Sequence, residues 1–265
     1  MVINLENLEN ETKSIRESIK KNLQRDFIFL IYNDASEEGI IEHDAILLKS
    51  FLDSCSVRNL SIILHGNGGD FRTSILMAHL LNEGLSSFNT YVPLKCCSAL
   101  CCLFLKSHEM IFFSDAKITQ IDPVYQHNGI WFRAIKQLKS EDQFLKENAN
   151  KVFHFASFQI TQLLTKKPSL FKFKDVDYDD FGHTNEIVSI FMNKEEHSSI
   201  ILSSELQGLD LNVRESKDRT LFELMRDLIS KCQNFLNVEN KRLILLSSAD
   251  IENGGEIYHF IVPDL

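Results

Sequence analysis

The stretch Leu60-Ser-Ile-Ile-Leu-His-Gly-Asn-Gly-Gly-Asp70 decides the fold. Leu60–His65 is short and almost continuously apolar, as in a strand buried on both faces. Gly66, Gly68 and Gly69 interrupt it, and the residues that follow, through Asn82, carry apolar side chains at helical spacing. A strand that stops at a glycine turn and passes straight into a helix is the unit of parallel α/β sheets. The unit recurs on both sides. Upstream, Asp26–Tyr32 is another buried strand, and Ile41, Ala45, Leu48, Phe51 and Leu52 mark a helix ending near Cys55. Downstream, Phe88–Pro93 is a strand, and Cys96-Cys-Ser-Ala-Leu-Cys-Cys-Leu-Phe-Leu105 reads as a short buried helix entered at Ser98. Short strands follow near Met110–Phe113 and Ala116–Ile121, closing at Asp122-Pro123. This order predicts an α/β fold with a largely parallel sheet. The ligand edge of such a sheet is where strands end and helices begin, and Gly66–Asp70 and Lys95–Ser98 both fall there.

The flanks are read by the same periodicities. Residues 1–25 carry Leu5, Leu8, Ile15, Ile19 and Leu23 on one helical face, predicting a surface or partner-facing helix. After Pro123, apolar spacing predicts helices over Gly129–Gln143 and Glu147–Leu164, the second ended by Lys166-Lys-Pro168. An aspartate-rich loop (Asp175–Gly182) leads to a helix at Thr184–Met192. Then come a strand at Ile200–Leu202, a capped helical turn at Ser203–Gly208, a strand at Leu211–Val213 and a helix at Arg219–Leu236. Lys241–Ser247 and Glu256–Val262 are set to pair as a hairpin, with Asn253-Gly-Gly255 near its turn. The expected organisation is an N-terminal helix (1–25), a main domain (26–215) and a C-terminal appendage of helix and hairpin (216–265).

Composition bounds the function. The 265 residues are enough for one large core, and a formal net charge of −9 argues against a nucleic-acid binder. The first 21 residues are polar and charged, unlike a secretory leader, and the longest apolar run is about ten residues, well short of the ~20 a membrane helix needs. Six cysteines in such a chain suggest a reducing compartment, so a soluble, cytoplasmic protein is expected. The cysteines around Ser98 lie in adjacent pairs, Cys96-Cys97 and Cys101-Cys102, with no C-x-x-C spacing. They read as small core fillers, and no metal is expected.

Two features carry chemistry. The glycine turn lacks both the G-x-G-x-x-G and the Walker spacing, so it reads as a plain strand-to-helix turn or as half of an anion hole. Ser98, at the mouth of an uncharged helix, reads as an N-cap or as a nucleophile. As a nucleophile it would have the Ala99 N–H facing a developing oxyanion, with Gly68 or Gly69 supplying a second donor.

These residues resemble a known family. Leu60 to Asp70, Val92-Pro93, Cys97-Ser-Ala99, His108-Glu-Met-Ile-Phe-Phe113 and Ile121-Asp-Pro123 are similar, in order and spacing, to the serine dehydrogenase proteinase family of the Clp protease/crotonase superfamily. That family shows a strand ending in His-Thr-Pro-Gly-Gly, a Ser-Ala-Gly nucleophile turn, an Asp-Glu-Ile-Val strand and an Ile-Asp-Pro turn. Glu196-His197, Ile201 and Ser204-Glu-Leu-Gln-Gly-Leu209 extend the likeness, which covers roughly residues 25–215. The chain departs at Asn67, where the family has proline, and at Leu100, where it has glycine.

The resemblance implies a Clp/crotonase-like ββα spiral and a serine peptidase with Ser98 as nucleophile and Gly69 and Ala99 as oxyanion donors. Asp122 and His197 fall where the family's superfamily places catalytic partners, implying a Ser98–His197–Asp122 triad with His197 as general base. His183 is a second candidate base. Lys136 and Lys139 are candidates for a serine–lysine dyad. His65 reads as a buried strand-end histidine or a site wall. No cofactor is implied. The implied partners are a peptide or protein substrate and further copies of the chain, as a ring or dimer-based homo-oligomer, with an ATPase partner left open. The alternatives are a catalytically inactive scaffold or sensor on the same fold, and an acyl-CoA enzyme of the crotonase branch.

Overall fold

Strand β1 (Phe27–Tyr32) shows why the sheet is legible: its alternate side chains enter two different cores. Ile28, Leu30 and Tyr32 face one, and Phe27, Phe29 and Ile31 face the other, all almost fully buried. Both faces of the strand are therefore dry, and the sequence runs apolar without alternation. The structure is a computed structural model and describes residues 5–36, 39–165, 181–192, 199–208, 211–248 and 259–263.

In chain order, α1 (Leu5–Leu23) precedes β1, and α2 (Glu42–Ser54) leads to β2 (Asn59–His65). Helix α3 (Phe71–Gly84) connects to β3 (Ser87–Val92), and the short β4 (Lys95–Cys96) runs through a tight turn at Ser98–Leu100 into α4 (Cys101–Lys106). Then come β5 (Glu109–Phe113), β6 (Lys117–Ile118), β7 (Val124–His127), β8 (Ile130–Arg133), α5 (Ala134–Gln137) and α6 (Gln143–Thr165). The chain continues with α7 (Phe181–Met192), α8 (Ser203–Gly208), β9 (Val213–Ser216), α9 (Arg219–Val238), β10 (Lys241–Ser247) and β11 (His259–Pro263).

Seven strands form the main sheet in the order β11-β10-β1-β2-β3-β5-β9. From β1 to β9 the neighbours are parallel, and β10 is antiparallel to both β1 and β11. The mixed α/β fold with a largely parallel sheet is thus present. Helices α2, α3, α4, α6 and α7 cover one face, while α1 and α9 cover the other. The N-terminal helix is accordingly packed on α9, with Leu8 and Ile19 buried. The C-terminal helix and hairpin are fastened to the sheet edge, since Ile28–Tyr32 of β1 pairs with Leu243–Ser247 of β10.

One stretch departs from the expected helix over 129–143. Val124–His127 and Ile130–Arg133 pair as an antiparallel hairpin, and only Ala134–Gln137 is helical before α6. The turn is Asn128-Gly129, with φ of 50° and 79°. Asn-Gly is the pair that two-residue hairpin turns favour, because both residues take positive φ. Trp131, Ala134, Ile135 and Leu138 also fit a helical spacing, so periodicity alone misleads there. The strand expected at Ile200–Leu202 is a single bridge, Thr119 to Ile200. The Asp175–Gly182 loop (save Phe181 and Gly182) and the Asn253-Gly-Gly255 turn lie outside the described residues.

Candidate active site

The site is built where β2 and β4 end side by side. Gly66 and Cys96 form a bridge, with Gly66 N–H donating to Lys95 O (3.1 Å) and Cys97 N–H to Gly66 O (3.1 Å). This brings the glycine turn against the Ser98 turn. A Cβ placed on Gly68 would lie 2.7 Å from Cys97 O, 2.8 Å from Ser98 Cβ and 3.0 Å from Ala99 N, so only glycine fits. Gly68 also has φ of +102°, which side chains disfavour.

The other side of the turn is held by the loop before α2. Ile40 N–H donates to Gly68 O (2.7 Å), and Asp70 N–H donates to Ile40 O (2.8 Å). In such a parallel bridge the amide of the intervening residue, Gly69, points away from Ile40. Asp70 then caps α3, its Oδ1 accepting from Thr73 N–H and Thr73 Oγ1–H at 2.7 Å each.

Ser98 has φ of +50°, an unusual conformation for a residue with a Cβ. Its N–H donates to Thr119 Oγ1 (3.1 Å), and Leu100 N–H closes the turn on Cys97 O (3.2 Å). Such strain is retained only where surrounding contacts impose it, and it clusters at functional sites. The Ser98 side chain is buried but borders a cavity of about 880 Å3, whose wall also includes Gly69, Ala99 and Asp122. Leu100 is fully buried in the core and does not line the cavity. Its side chain therefore leaves the space beside Ser98 open.

The remaining expected residues divide. Asp122 is buried, and its Oδ2 accepts from Arg133 Nε, tying the β7–β8 hairpin to the strand end. Lys136 and Lys139 are exposed and do not line the cavity. His183 lies on α7 with its side chain outside the described residues, and His197 lies outside them altogether. The four cysteines around Ser98 are free and buried in the core. Burial pushes the Cys96 and Cys102 thiols well up, so neither is a ready nucleophile.

Sequence reasoning did not single out Phe71, Arg72, Tyr125, Trp131, Lys151 and Phe155, all of which line the cavity. Tyr125 and Trp131 come from the unforeseen hairpin, for which Asn128-Gly129 was the available signal. Lys151 and Phe155 sit one turn apart on α6, but nothing local distinguishes them from an ordinary helix face.

His65 lies at a second cluster and not in the cavity wall. Its Nε2 is 3.1 Å from Asp34 Oδ2, and Lys95 Nζ is 2.9 Å from Asp34 Oδ1. Burial alone would raise the Asp34 carboxyl, but the His65 hydrogen bond and the positive charges of His65 and Lys95 bring it from 3.8 down to about 2. The unfolded chain therefore binds this proton more tightly than the folded one. The stabilisation is complete above about pH 4 and is lost as the pH falls through about 2. Melting temperatures recorded from pH 5 to pH 2 should show this loss in the natural chain and a smaller loss in Asp34→Asn. Equal losses in both would show that the cluster is not the cause.

Among the described residues, no helix is long and apolar enough to cross a membrane, and no group of three or more His, Cys, Asp or Glu residues could hold a metal ion. No family model matches the sequence, and no curated protein does. Several solved structures are similar to the chain. A serine-to-alanine variant of the 1510-N membrane-bound stomatin-specific protease is 14% identical, with 74% of this chain and 83% of that chain covered at a TM-score of 0.46. A lysine-to-alanine variant of that protease, in complex with a substrate peptide, is 12% identical over 88% of this chain and 87% of that one, with a TM-score of 0.45. An asparagine-to-aspartate variant of ClpP1 from Listeria monocytogenes is 12% identical over 81% of this chain and 99% of that one, with a TM-score of 0.44.

Proposed function

We propose that the protein is a serine peptidase of the serine dehydrogenase proteinase/Clp type that hydrolyses peptide bonds through an acyl-enzyme on Ser98. The observation that carries this reading is the Ser98 turn: a serine at φ +50°, entering a buried helix, on the wall of a cavity that also exposes Gly69 and Ala99. In this reading Ser98 Oγ attacks the scissile carbonyl, and its proton passes to the general base and then to the leaving amine. The Gly69 and Ala99 N–H groups receive the oxyanion, and water releases the acyl group by the same steps in reverse. His197 is the proposed base. Asp122 orients it while remaining paired with Arg133. A homo-oligomer belongs to the same reading, because Ile130 and Trp131 on the hairpin and Phe158 on α6 leave large apolar surfaces exposed.

A fluorophosphonate probe tests the nucleophile. The expected result is one adduct per chain on the peptide containing Ser98, absent in Ser98→Ala and formed much more slowly in His197→Ala. Absence of the adduct in the natural chain, across pH and in every oligomeric fraction, would leave the scaffold reading in its place. One observation favours that second reading: among the described residues, no histidine lines the cavity.

A further inference from the structure

We propose that the Ser98 cavity takes an apolar residue and a carboxylate carried by the same peptide, the carboxylate being held by Arg72 and Lys151. This rests on the peptidase reading and specifies its substrate class. Two elements build the receiving corner. The first turn of α3 supplies Phe71 and Arg72, and α6 supplies Lys151 and Phe155, four residues apart and hence on one helical face. The Phe71 and Phe155 rings meet edge to face, with centroids 6.5 Å apart. The Arg72 guanidinium lies 5.5 Å from the Phe155 ring centroid. Contact with an aromatic face steadies the guanidinium, so its fork is partly oriented before a ligand arrives.

The cations of this cavity outnumber the carboxylates left to answer them. Asp122 is paired with Arg133, so Asp70, whose Oδ1 accepts from the Thr73 amide and hydroxyl and which keeps its charge, is the one carboxylate among the described wall residues set against Arg72 and Lys151. Among the described residues, neither Arg72 nor Lys151 has an ion pair or a side-chain hydrogen bond. Two cations with no ion-pair partner among the described residues, and only Asp70 as an unpaired carboxylate nearby, thus border an apolar cavity in a protein whose net charge is −9. Water screens them while the cavity is open, and a ligand that excludes water makes their field count. A planar carboxylate matches the guanidinium fork, and Ile121, Val124, Tyr125 and Trp131 offer the neighbouring apolar surface. The carboxylate has two sources, the C-terminus of a peptide or an Asp or Glu side chain.

Trp131 is the one tryptophan of the chain and lines the cavity, so its fluorescence reports binding without requiring chemistry. The Ser98→Ala protein is titrated with tryptophan-free phenylalanyl peptides: a free C-terminus, the same peptide amidated, the amide carrying Glu, and the amide carrying Lys. The expected result is affinity about tenfold or more higher for a carboxylate-bearing peptide than for the neutral amide. That advantage should shrink in 1 M salt, as screening demands (roughly a 3 Å Debye length). It should vanish in Arg72→Gln/Lys151→Gln while the neutral amide binds as before. Whichever carboxylate peptide binds tighter identifies the source. Equal affinity across the set, no binding of any peptide, or an advantage that survives the double substitution would overturn the proposal. Failure of the peptidase reading registers separately, as absence of the Ser98 adduct, and leaves the charge preference measurable.

Discussion

Arg242→Met is expected to lower the stability of the protein by about 3–5 kcal/mol, because it strands the Asp44 carboxylate in the core. Both side chains are fully buried. Arg242 Nη1 donates to Asp44 Oδ2 (2.8 Å) and to Gly39 O (2.6 Å), and Nη2 donates to Asp44 Oδ1 (2.5 Å). The Tyr32 hydroxyl and the Ile41 N–H also donate to Asp44 Oδ2, at 3.2 and 3.0 Å. Burial first, and then Asp44, push the Tyr32 hydroxyl well up, so it stays protonated as a donor. At this chain length a loss of that size corresponds to a melting point lower by roughly 10 °C. The effect should reach the candidate site, because the group that loses its donor is the Gly39 carbonyl. Gly39 lies against the glycine turn: a Cβ on it would fall 1.9 Å from Gly68 O. Thermal melts and the rate of Ser98 labelling, both measured well below the new midpoint, check the two parts. A change in melting point with no change in labelling would confine Arg242 to stability.

Gly68→Ala should act more directly on the chemistry. The added methyl would meet Cys97 O, Ser98 Cβ and Ala99 N at 2.7–3.0 Å, and two of these are backbone atoms that cannot rotate aside. The Ser98 turn has to shift, and misplacing one oxyanion donor costs about 10²–10³ in rate. Ser98 labelling is therefore expected to fall by about that factor. Gly208→Ala is the matched control, since nothing among the described residues lies within 4 Å of its added methyl, and it should label at the natural rate. Equal labelling of both variants would show that the Gly68–Ser98 contact does not set the geometry.

The readable and the unreadable parts of this protein differ in physical kind. Strands β1, β2 and β3 announce themselves because helices cover both faces, which leaves runs such as Phe27–Tyr32 apolar throughout. Ser98 and the glycine turn are legible because a strand stop, a positive φ and a helix start leave marks within a few residues. The β7–β8 hairpin was hidden by apolar spacing that fits a helix equally well, although Asn128-Gly129 marked its turn. The Asp44–Arg242 pair joins residues 198 apart, and nothing near either one names the other. Arg72 and Lys151 likewise look like solvated helix residues until α3 and α6 are seen to share a cavity wall.

Arg242 enters through β10, which is laid antiparallel against β1 after α9 has been completed. A nascent polypeptide emerging from the ribosome can pair β1, β2, β3 and β5 early, yet it lacks the guanidinium that braces the Gly39 carbonyl until the tenth strand is made. The brace behind the glycine turn beside Ser98 is thus the last part of that neighbourhood to be synthesised.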